Sequence, residues 1–149
     1  MGYTNIDFNN KSILITGGAG FIGSNLAFYF QNNFPNAKVT IFDCFRNGEA
    51  LSNGNLKSFG HYKNLIGFKG KVICGDLTNK KDIELLGVFN FDFIFHQAAI
   101  SDTRINDQEL VLRTNVNSFY DILKITKKCR ATLVYASSAA LYGNRMSPQ

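Results

Sequence analysis

The sequence has few of the residues that mark fibrous, disordered or disulfide-rich proteins. It contains two prolines, and 45% of its residues are hydrophobic against 18% charged, so a collagen-like or disordered chain is excluded. Its three cysteines, Cys44, Cys74 and Cys129, are odd in number and far apart, which argues against a disulfide framework or a zinc site. We expect no bound metal and expect reduced, mostly buried thiols.

Long apolar runs are also absent, and we expect no leader sequence. No stretch approaches the roughly 18 residues of a transmembrane helix, and residues 1–10 are too polar for a signal peptide. We therefore expect a cytoplasmic protein with no membrane partner. The net charge of +5 is scattered, and its densest cluster is Lys127–Arg130. Such a cluster is more typical of a solvated helix end than of nucleic-acid binding, and the positive excess also suits an anionic ligand.

Short apolar segments alternate with longer helical patterns along the chain. Apolar strands separated by helices predict an α/β fold, a doubly wound parallel sheet of the Rossmann type. On the longest helix, Leu112, Val116, Phe119 and Leu123 form one apolar stripe. The predicted strands are Ser12–Thr16, Lys38–Asp43, Lys71–Cys74, Phe91–His96 and Ala131–Ala136, and the predicted helices are Phe21–Gln31, Lys80–Leu86 and Asp107–Lys128.

Two segments lack a periodic pattern. Arg46–Gly70 is rich in glycine, asparagine and lysine and predicts a long loop with one helical turn, a kind of segment that is usually functional or mobile. Arg145–Gln149 gives no sign of a terminal helix or strand, and we interpret it as a break within a loop. The length of 149 residues suits one domain.

The segment Gly17–Gly23 joins the first predicted strand to the first predicted helix. Its glycine spacing in that context predicts a turn that needs positive φ and lets a pyrophosphate approach the helix N-terminus. Asp43, at the end of the second strand, would accept hydrogen bonds from ribose hydroxyls, although a strand-end Asp can also simply cap a turn. Arg46 could instead bind a 2′-phosphate or be an ordinary surface residue, so NAD and NADP both remain open.

Five motifs, in order, resemble the extended short-chain dehydrogenase/reductase family over essentially the whole chain. They are Thr16–Gly23, Gly75–Leu77, His96–Ala99, Thr114–Asn117 and Tyr135–Gly143. The resemblance implies that residues 1–149 are a dinucleotide-binding domain with Ser138 as the catalytic hydroxyl. It places Ser137 and Ser101 in the substrate site. The cofactor-binding positions that it implies are Gly17, Gly20, Phe21, Ile22, Gly23, Asp43, Arg46, Asp76, Leu77, Gln97, Ala98, Ala99 and Asn115.

Within that family, the segments Phe45–Asn47, His96–Ser101 and Tyr135–Ala139 resemble the 6-epimerases of ADP-glycero-manno-heptose. This resemblance implies a nucleotide-sugar substrate that is transiently oxidised at C6″ by bound NADP, with NAD possible, for the inner core of lipopolysaccharide. It also implies a homo-oligomer at full length. A UDP-sugar 4-epimerase or 4,6-dehydratase remains open, as does a non-catalytic NAD(P)-binding module.

The family pairs its Ser with a Tyr-x-x-x-Lys helix that follows it. Tyr120–Lys124 is the one such string in this chain, but it precedes Ser138, so we interpret it as a coincidence of helical spacing. We expect the true pair, and most of the substrate domain, to lie beyond Gln149, so that this chain alone is inactive. His96 is interpreted as packing beneath the cofactor rather than as a general base.

Overall fold

The computed structural model describes residues 6–138, 141 and 143. Its centre is a parallel five-stranded sheet in the order β3-β2-β1-β4-β5, which confirms the predicted fold class. The strands are β1 Ser12–Thr16, β2 Lys38–Asp43, β3 Lys71–Cys74, β4 Phe93–His96 and β5 Thr132–Tyr135, and the helices are α1 Phe21–Asn33, α2 Lys80–Leu86, α3 Gln108–Leu112 and α4 Ser118–Cys129.

The bounds of β1, β2, β3 and α2 are those predicted from the sequence. Short runs of β-branched or aromatic residues flanked by glycine or polar residues define these strands, and α2 begins where Asn79 caps it by accepting from Lys81 N. The long loop carries a short 3₁₀ helix at Tyr62–Leu65, as expected for one helical turn.

Two hydrophobic clusters lie on opposite faces of the sheet. Ile13, Ile15 and Ile41 pack with Phe30 of α1 on one face, while Leu14 and the other members of the second cluster pack against α2 and α4. Because neighbouring residues of a strand point to opposite faces, β1 is apolar at every interior position. The sheet is therefore a covered frame that holds the loops at its carboxyl edge.

The predicted long helix is interrupted by a π-helical segment, Arg113–Asn117, which joins α3 to α4. The predicted apolar stripe does not cover the sheet, because Leu112, Val116 and Leu123 are 55%, 45% and 40% exposed. Ser118, Ile122 and Ile125 are the buried residues of α4. A π turn shifts the side chains that follow it around the helix axis, so the face predicted from regular spacing differs from the face that packs.

The prediction of mostly buried thiols is wrong. Cys74 is exposed, and Cys44 and Cys129 are only partly buried. Cys74 ends β3, which within the described residues pairs with β2 alone and so forms an edge of the sheet. Among the described residues, no helix is long and apolar enough to cross a membrane.

Candidate functional site

The five parallel strands end at one edge of the sheet and bring the predicted site residues there. The glycine turn follows β1, Asp43 ends β2, and Asp76 follows β3. Gln97 and Ser137 follow β4 and β5 at the same edge. This is the edge at which open α/β sheets bind ligands.

The glycine turn leaves the N-terminus of α1 open to an anion. Gly17 has φ +68°, and a Cβ there would lie 2.8 Å from backbone atoms of Ala98, so this position requires glycine. Gly20 is the N-cap of α1, with no side-chain cap and no acidic residue in the first turn. Phe21 and Ile22 are 83% and 64% exposed. Backbone N–H groups and the positive end of a helix dipole at this place fit the diphosphate of a dinucleotide.

The peptide groups of Ala19 are held by three residues from outside the turn. Its N–H donates to Asp43 Oδ2 at 2.9 Å, and its carbonyl accepts from His61 N at 3.0 Å and from Asn64 Nδ2 at 2.8 Å. The loop after β2 therefore fixes the glycine turn. His61 and Asn64 carried no functional prediction, because contacts between residues so far apart leave no periodic signal.

The Asp43 carboxylate is directed into the protein. It is 6% exposed, and its second oxygen, Oδ1, accepts from Phe45 N at 2.9 Å. A Cβ on Gly60 would collide with this carboxylate. Burial raises the pKa of Asp43, against the lowering effect of the hydrogen bonds from Phe45 and Ala19. Both carboxylate oxygens are thus engaged by backbone N–H groups.

A cavity of about 230 Å³ lies between the ends of β2 and β3. Asp76 lines it, and its Oδ1 accepts from Thr78 N at 2.7 Å and from Thr78 Oγ1 at 2.8 Å. Partial burial raises the pKa of Asp76, but the Thr78 hydrogen bonds and the Lys57 charge, 3.4 Å away, outweigh it and lower the pKa. Leu77, the next residue along the chain, is buried. The carboxylate is therefore ionised and held in one orientation.

His96 forms a buried hydrogen bond with Thr16 across the sheet. The two residues are paired in register, and Thr16 Oγ1 lies 2.7 Å from His96 Nδ1. Burial lowers the pKa of His96 to about 4, so the imidazole is neutral at pH 7. Its ring packs on Phe119, with centroids 5.5 Å apart. These contacts are those of a residue that packs below the carboxyl edge of the sheet, and they differ from those expected of a general base.

The segment after β4 is held from both sides. Gln97 N donates to the Thr16 carbonyl at 3.1 Å. The Asn115 side chain accepts from Ile100 N at 2.8 Å and donates to Ile100 O at 2.9 Å. Asn115 was predicted as a cofactor-binding position. Its side-chain carbonyl and amino groups both form hydrogen bonds with the backbone of this segment. It fixes Ile100, and Ala98 of the same segment lies against Gly17 of the glycine turn.

The predicted substrate residues lie at the exposed end of the site. Ser137, Ser138 and Ser101 are all exposed. Ala136 N donates to the His96 carbonyl at 3.1 Å, and Leu141 N donates to the Ser138 carbonyl at 3.1 Å. Ala139, Ala140 and Tyr142 of the Ser motif, and residues 145–149, lie outside the described residues.

The string Tyr120–Lys124 does not form an acid/base pair in the described structure. Tyr120 is 61% exposed on α4, and Lys124 Nζ donates to Asp121 Oδ1 at 2.6 Å. The lysine is thus engaged by a neighbouring carboxylate on its own helix, a typical i, i+3 pair.

Comparisons with known proteins agree with this geometry. The NAD dependent epimerase/dehydratase family matches residues 13–149. The chain belongs to this family. An ADP-L-glycero-D-manno-heptose-6-epimerase of Brachyspira hyodysenteriae is 35% identical over 138 residues, which are 89% of this chain and 38% of that protein.

Two solved structures are also similar. The Helicobacter pylori ADP-L-glycero-D-manno-heptose-6-epimerase has a TM-score of 0.86 and 50% identity, covering 100% of this chain and 46% of its own. The Bordetella bronchiseptica enzyme WbmG, in complex with NAD and UDP, has a TM-score of 0.70 and 27% identity, covering 91% and 40%. This member of the family thus spans less than half the length of each of these relatives.

Proposed function

We propose that this chain is the cofactor-binding part of a nucleotide-sugar epimerase that inverts C6″ of ADP-D-glycero-D-manno-heptose. The observation that carries the proposal is the 50% identity, over the whole chain, to the Helicobacter pylori enzyme. The open N-terminus of α1 beside the Asp76 cavity supports binding of an adenine dinucleotide. The role in lipopolysaccharide synthesis, the cytoplasmic location and the homo-oligomer belong to the same proposal.

The proposed cofactor is NADP rather than NAD. An outward carboxylate at the end of β2 would accept ribose hydroxyls and repel a 2′-phosphate, but Asp43 points toward Ala19 and Phe45. Arg46 is exposed three residues further on, and its N–H is fixed by Gly60 O at 2.7 Å. A guanidinium at this place can bind a phosphate through two hydrogen bonds.

The chain's own residues would position the reacting groups. Bound nicotinamide dinucleotide would supply hydride acceptance and return. The glycine turn would hold the diphosphate, and the Ala98–Ile100 segment, fixed by Asn115, would support the ring end of the ligand. The Ser138 hydroxyl would donate a hydrogen bond to the sugar oxygen while that oxygen loses and regains its proton, with Ser137 and Ser101 contacting substrate.

Two alternative functions predict different results in a turnover assay. A UDP-sugar 4-epimerase or 4,6-dehydratase would use the same fold, and the similar structure of WbmG is a complex with NAD and UDP. A non-catalytic NAD(P)-binding module would bind the cofactor without turnover.

The test uses the full-length protein with ADP-D-glycero-D-manno-heptose, UDP-glucose and UDP-N-acetylglucosamine as separate substrates. Proton NMR of the C6″ and C4″ centres reports which centre inverts. We expect inversion at C6″ of the ADP-heptose only. Inversion or dehydration of a UDP-sugar would support the first alternative, and cofactor binding without any turnover would support the second.

A further inference from the structure

A basic groove lies at the end of the sheet opposite the glycine turn. Its volume is about 720 Å³, and Ser12, Lys38 and Lys71, the first residues of β1, β2 and β3, line it. The glycine turn follows the last residue of β1. The length of the strands therefore separates this groove from the proposed cofactor site.

Three lysines are brought together along the groove. Lys71, the first residue of β3, is paired with Thr40 of β2 in register, and Lys38 lies two residues before Thr40 while Lys69 lies two residues before Lys71. All three lysines line the groove and are exposed. Like charges on neighbouring strands repel one another, and an anion bound between them would relieve that repulsion.

No carboxylate balances these lysines within the described residues. None of the aspartates or glutamates there lines the groove, and none of the three lysines takes part in an ion pair. Asp92, which lies beside the start of β1, is already engaged by Ser12 N at 2.8 Å and by Lys11 Nζ at 3.9 Å. The groove is thus a cationic surface without an internal counter-charge.

The wall that carries Lys69 is fixed to α1. Gln31 Oε1 accepts from Lys69 N at 2.6 Å, and Gln31 Nε2 donates to Gly67 O at 3.2 Å. On the other side, Lys71 Nζ lies 4.6 Å from the centre of the Phe89 ring. The backbone at Lys69 is therefore fixed to α1, and the ammonium group of Lys71 is held over an aromatic ring.

We propose that this groove binds a small phosphate-bearing anion at a site separate from the dinucleotide. Three ammonium groups match the charge of a diphosphate, and lysine binds phosphate oxygens as a compact point charge. The volume of the groove is large enough for a diphosphate with an attached organic group. The inference does not depend on the proposed epimerase activity.

The test is a titration of the ¹⁵N-labelled chain with inorganic pyrophosphate at physiological salt. We expect saturable amide shifts at Lys69, Gly70 and Lys71, and an affinity at least about tenfold weaker in the Lys38→Glu/Lys69→Glu variant. The control, Lys80→Glu/Lys127→Glu, changes the net charge equally at exposed positions elsewhere. We expect it to keep its pyrophosphate affinity, and we expect both variants to keep their NADP affinity.

Three results would overturn the proposal. Equal weakening in both double variants would show a net-charge effect alone. Shifts confined to the glycine turn would assign the pyrophosphate to the dinucleotide site, and no shifts would show that the groove does not bind. Lys38→Gln/Lys69→Gln, which removes the charge without reversing it, provides the same comparison if the glutamate variant does not fold.

Discussion

Gly17 and Gly20 belong to one turn but are constrained by different neighbours. Gly17 has a positive φ and lies against Ala98, whereas Gly20 has ordinary extended geometry, and a Cβ there meets only Gly17 O at 3.2 Å. We expect Gly17→Ala to lower the free energy of unfolding by about 1–3 kcal/mol. We expect Gly20→Val to stay folded and to lose dinucleotide binding, because its side chain occupies the approach of the pyrophosphate. Urea unfolding and calorimetric titration with NADP⁺ separate the two effects, and NADP⁺ binding by Gly20→Val would contradict this account of the turn.

Arg46 tests the choice of cofactor. If its guanidinium holds the 2′-phosphate, Arg46→Ala loses roughly 1.5–3 kcal/mol of NADP binding, which is one to two decades in Kd. NAD lacks that phosphate, so its affinity should be unchanged. Titration of both cofactors into wild type, Arg46→Ala and the charge-matched control Lys80→Ala measures this difference. Equal losses for both cofactors, or none, would make Arg46 an ordinary surface residue and favour NAD.

His96 makes stability depend on pH below neutrality. Its pKa in the folded chain is about 4 against an ordinary value of 6.5, so the unfolded chain takes up the proton first as the pH falls. The contribution of neutral His96 to the free energy of unfolding is fully present above pH 6.5. It decreases as the pH falls from 6.5 toward 4 and changes no further below that range. Linkage gives a loss of about 2 kcal/mol at about pH 5.

The measurement compares urea unfolding of wild type and His96→Asn at about pH 7.5 and about pH 5. Carboxylates titrate in both proteins, so only the difference between them reports on His96. An equal loss of stability in the two proteins would show that burial of His96 does not carry the effect.

The residues that sequence patterns identified are those whose chemistry follows from local position. Gly17 directly follows β1, Asp43 ends β2, and Ser138 lies three residues after β5, and parallel strands end at one edge. The orientation of Asp43 was not predictable, because it depends on Gly60 and Ala19 from two other segments. Asn64 was missed for the same reason.

Among the elements, the loop after β2 has the clearest link to ligand binding. Asn64 Nδ2 is one of two donors to the Ala19 carbonyl. Asn64→Ala should therefore lower the free energy of unfolding by only about 1 kcal/mol and weaken NADP⁺ binding by loosening the turn. The matched control is Asn33→Ala, which also removes a side-chain donor to a backbone carbonyl, Tyr29 O, but at the far end of α1.

Calorimetric titration and amide exchange at Gly20 and Phe21 check this prediction. Faster exchange at these two amides in Asn64→Ala, but not in Asn33→Ala, is the expected signature of a loosened turn. Unchanged exchange together with unchanged NADP⁺ affinity would show that His61 alone is sufficient to hold the Ala19 carbonyl.

The α3–α4 run shows where periodicity stops being informative. A sequence pattern assumes 3.6 residues per turn, whereas Arg113–Asn117 is π-helical. The π segment carries Asn115, which donates to and accepts from Ile100. Insertion of a π turn at functional positions is common, but the hydrophobic spacing of Leu112, Val116 and Leu123 carries no sign of it.

At the scale of the whole molecule, the doubly wound parallel sheet followed from alternating strands and helices, because right-handed crossovers leave few arrangements. The described surface also shows large exposed apolar side chains near β5, including Tyr135 at 56% and Val134 at 43%. They precede the exposed Ser137–Ser138 segment, so the carboxyl end of β5 is open to solvent in the described structure.

The last prediction follows from that openness. The 149-residue chain should bind NADP⁺, since the turn, the Asp76 cavity and the Ala98 segment are all formed, but it should not epimerise ADP-heptose. General acid/base groups typically contribute roughly 10²–10⁴-fold, and the one Tyr-x-x-x-Lys string in the sequence, Tyr120–Lys124, precedes Ser138 and has its lysine paired with Asp121. In the full-length protein, Ser138→Ala should lower kcat and leave the Kd for NADP⁺ nearly unchanged. Calorimetry on the chain, with NMR turnover assays on both forms, provides the readout. Turnover by the 149-residue chain would contradict the need for a Tyr-Lys pair beyond Gln149. A full-length Ser138→Ala variant with normal kcat would refute the role assigned to the Ser138 hydroxyl.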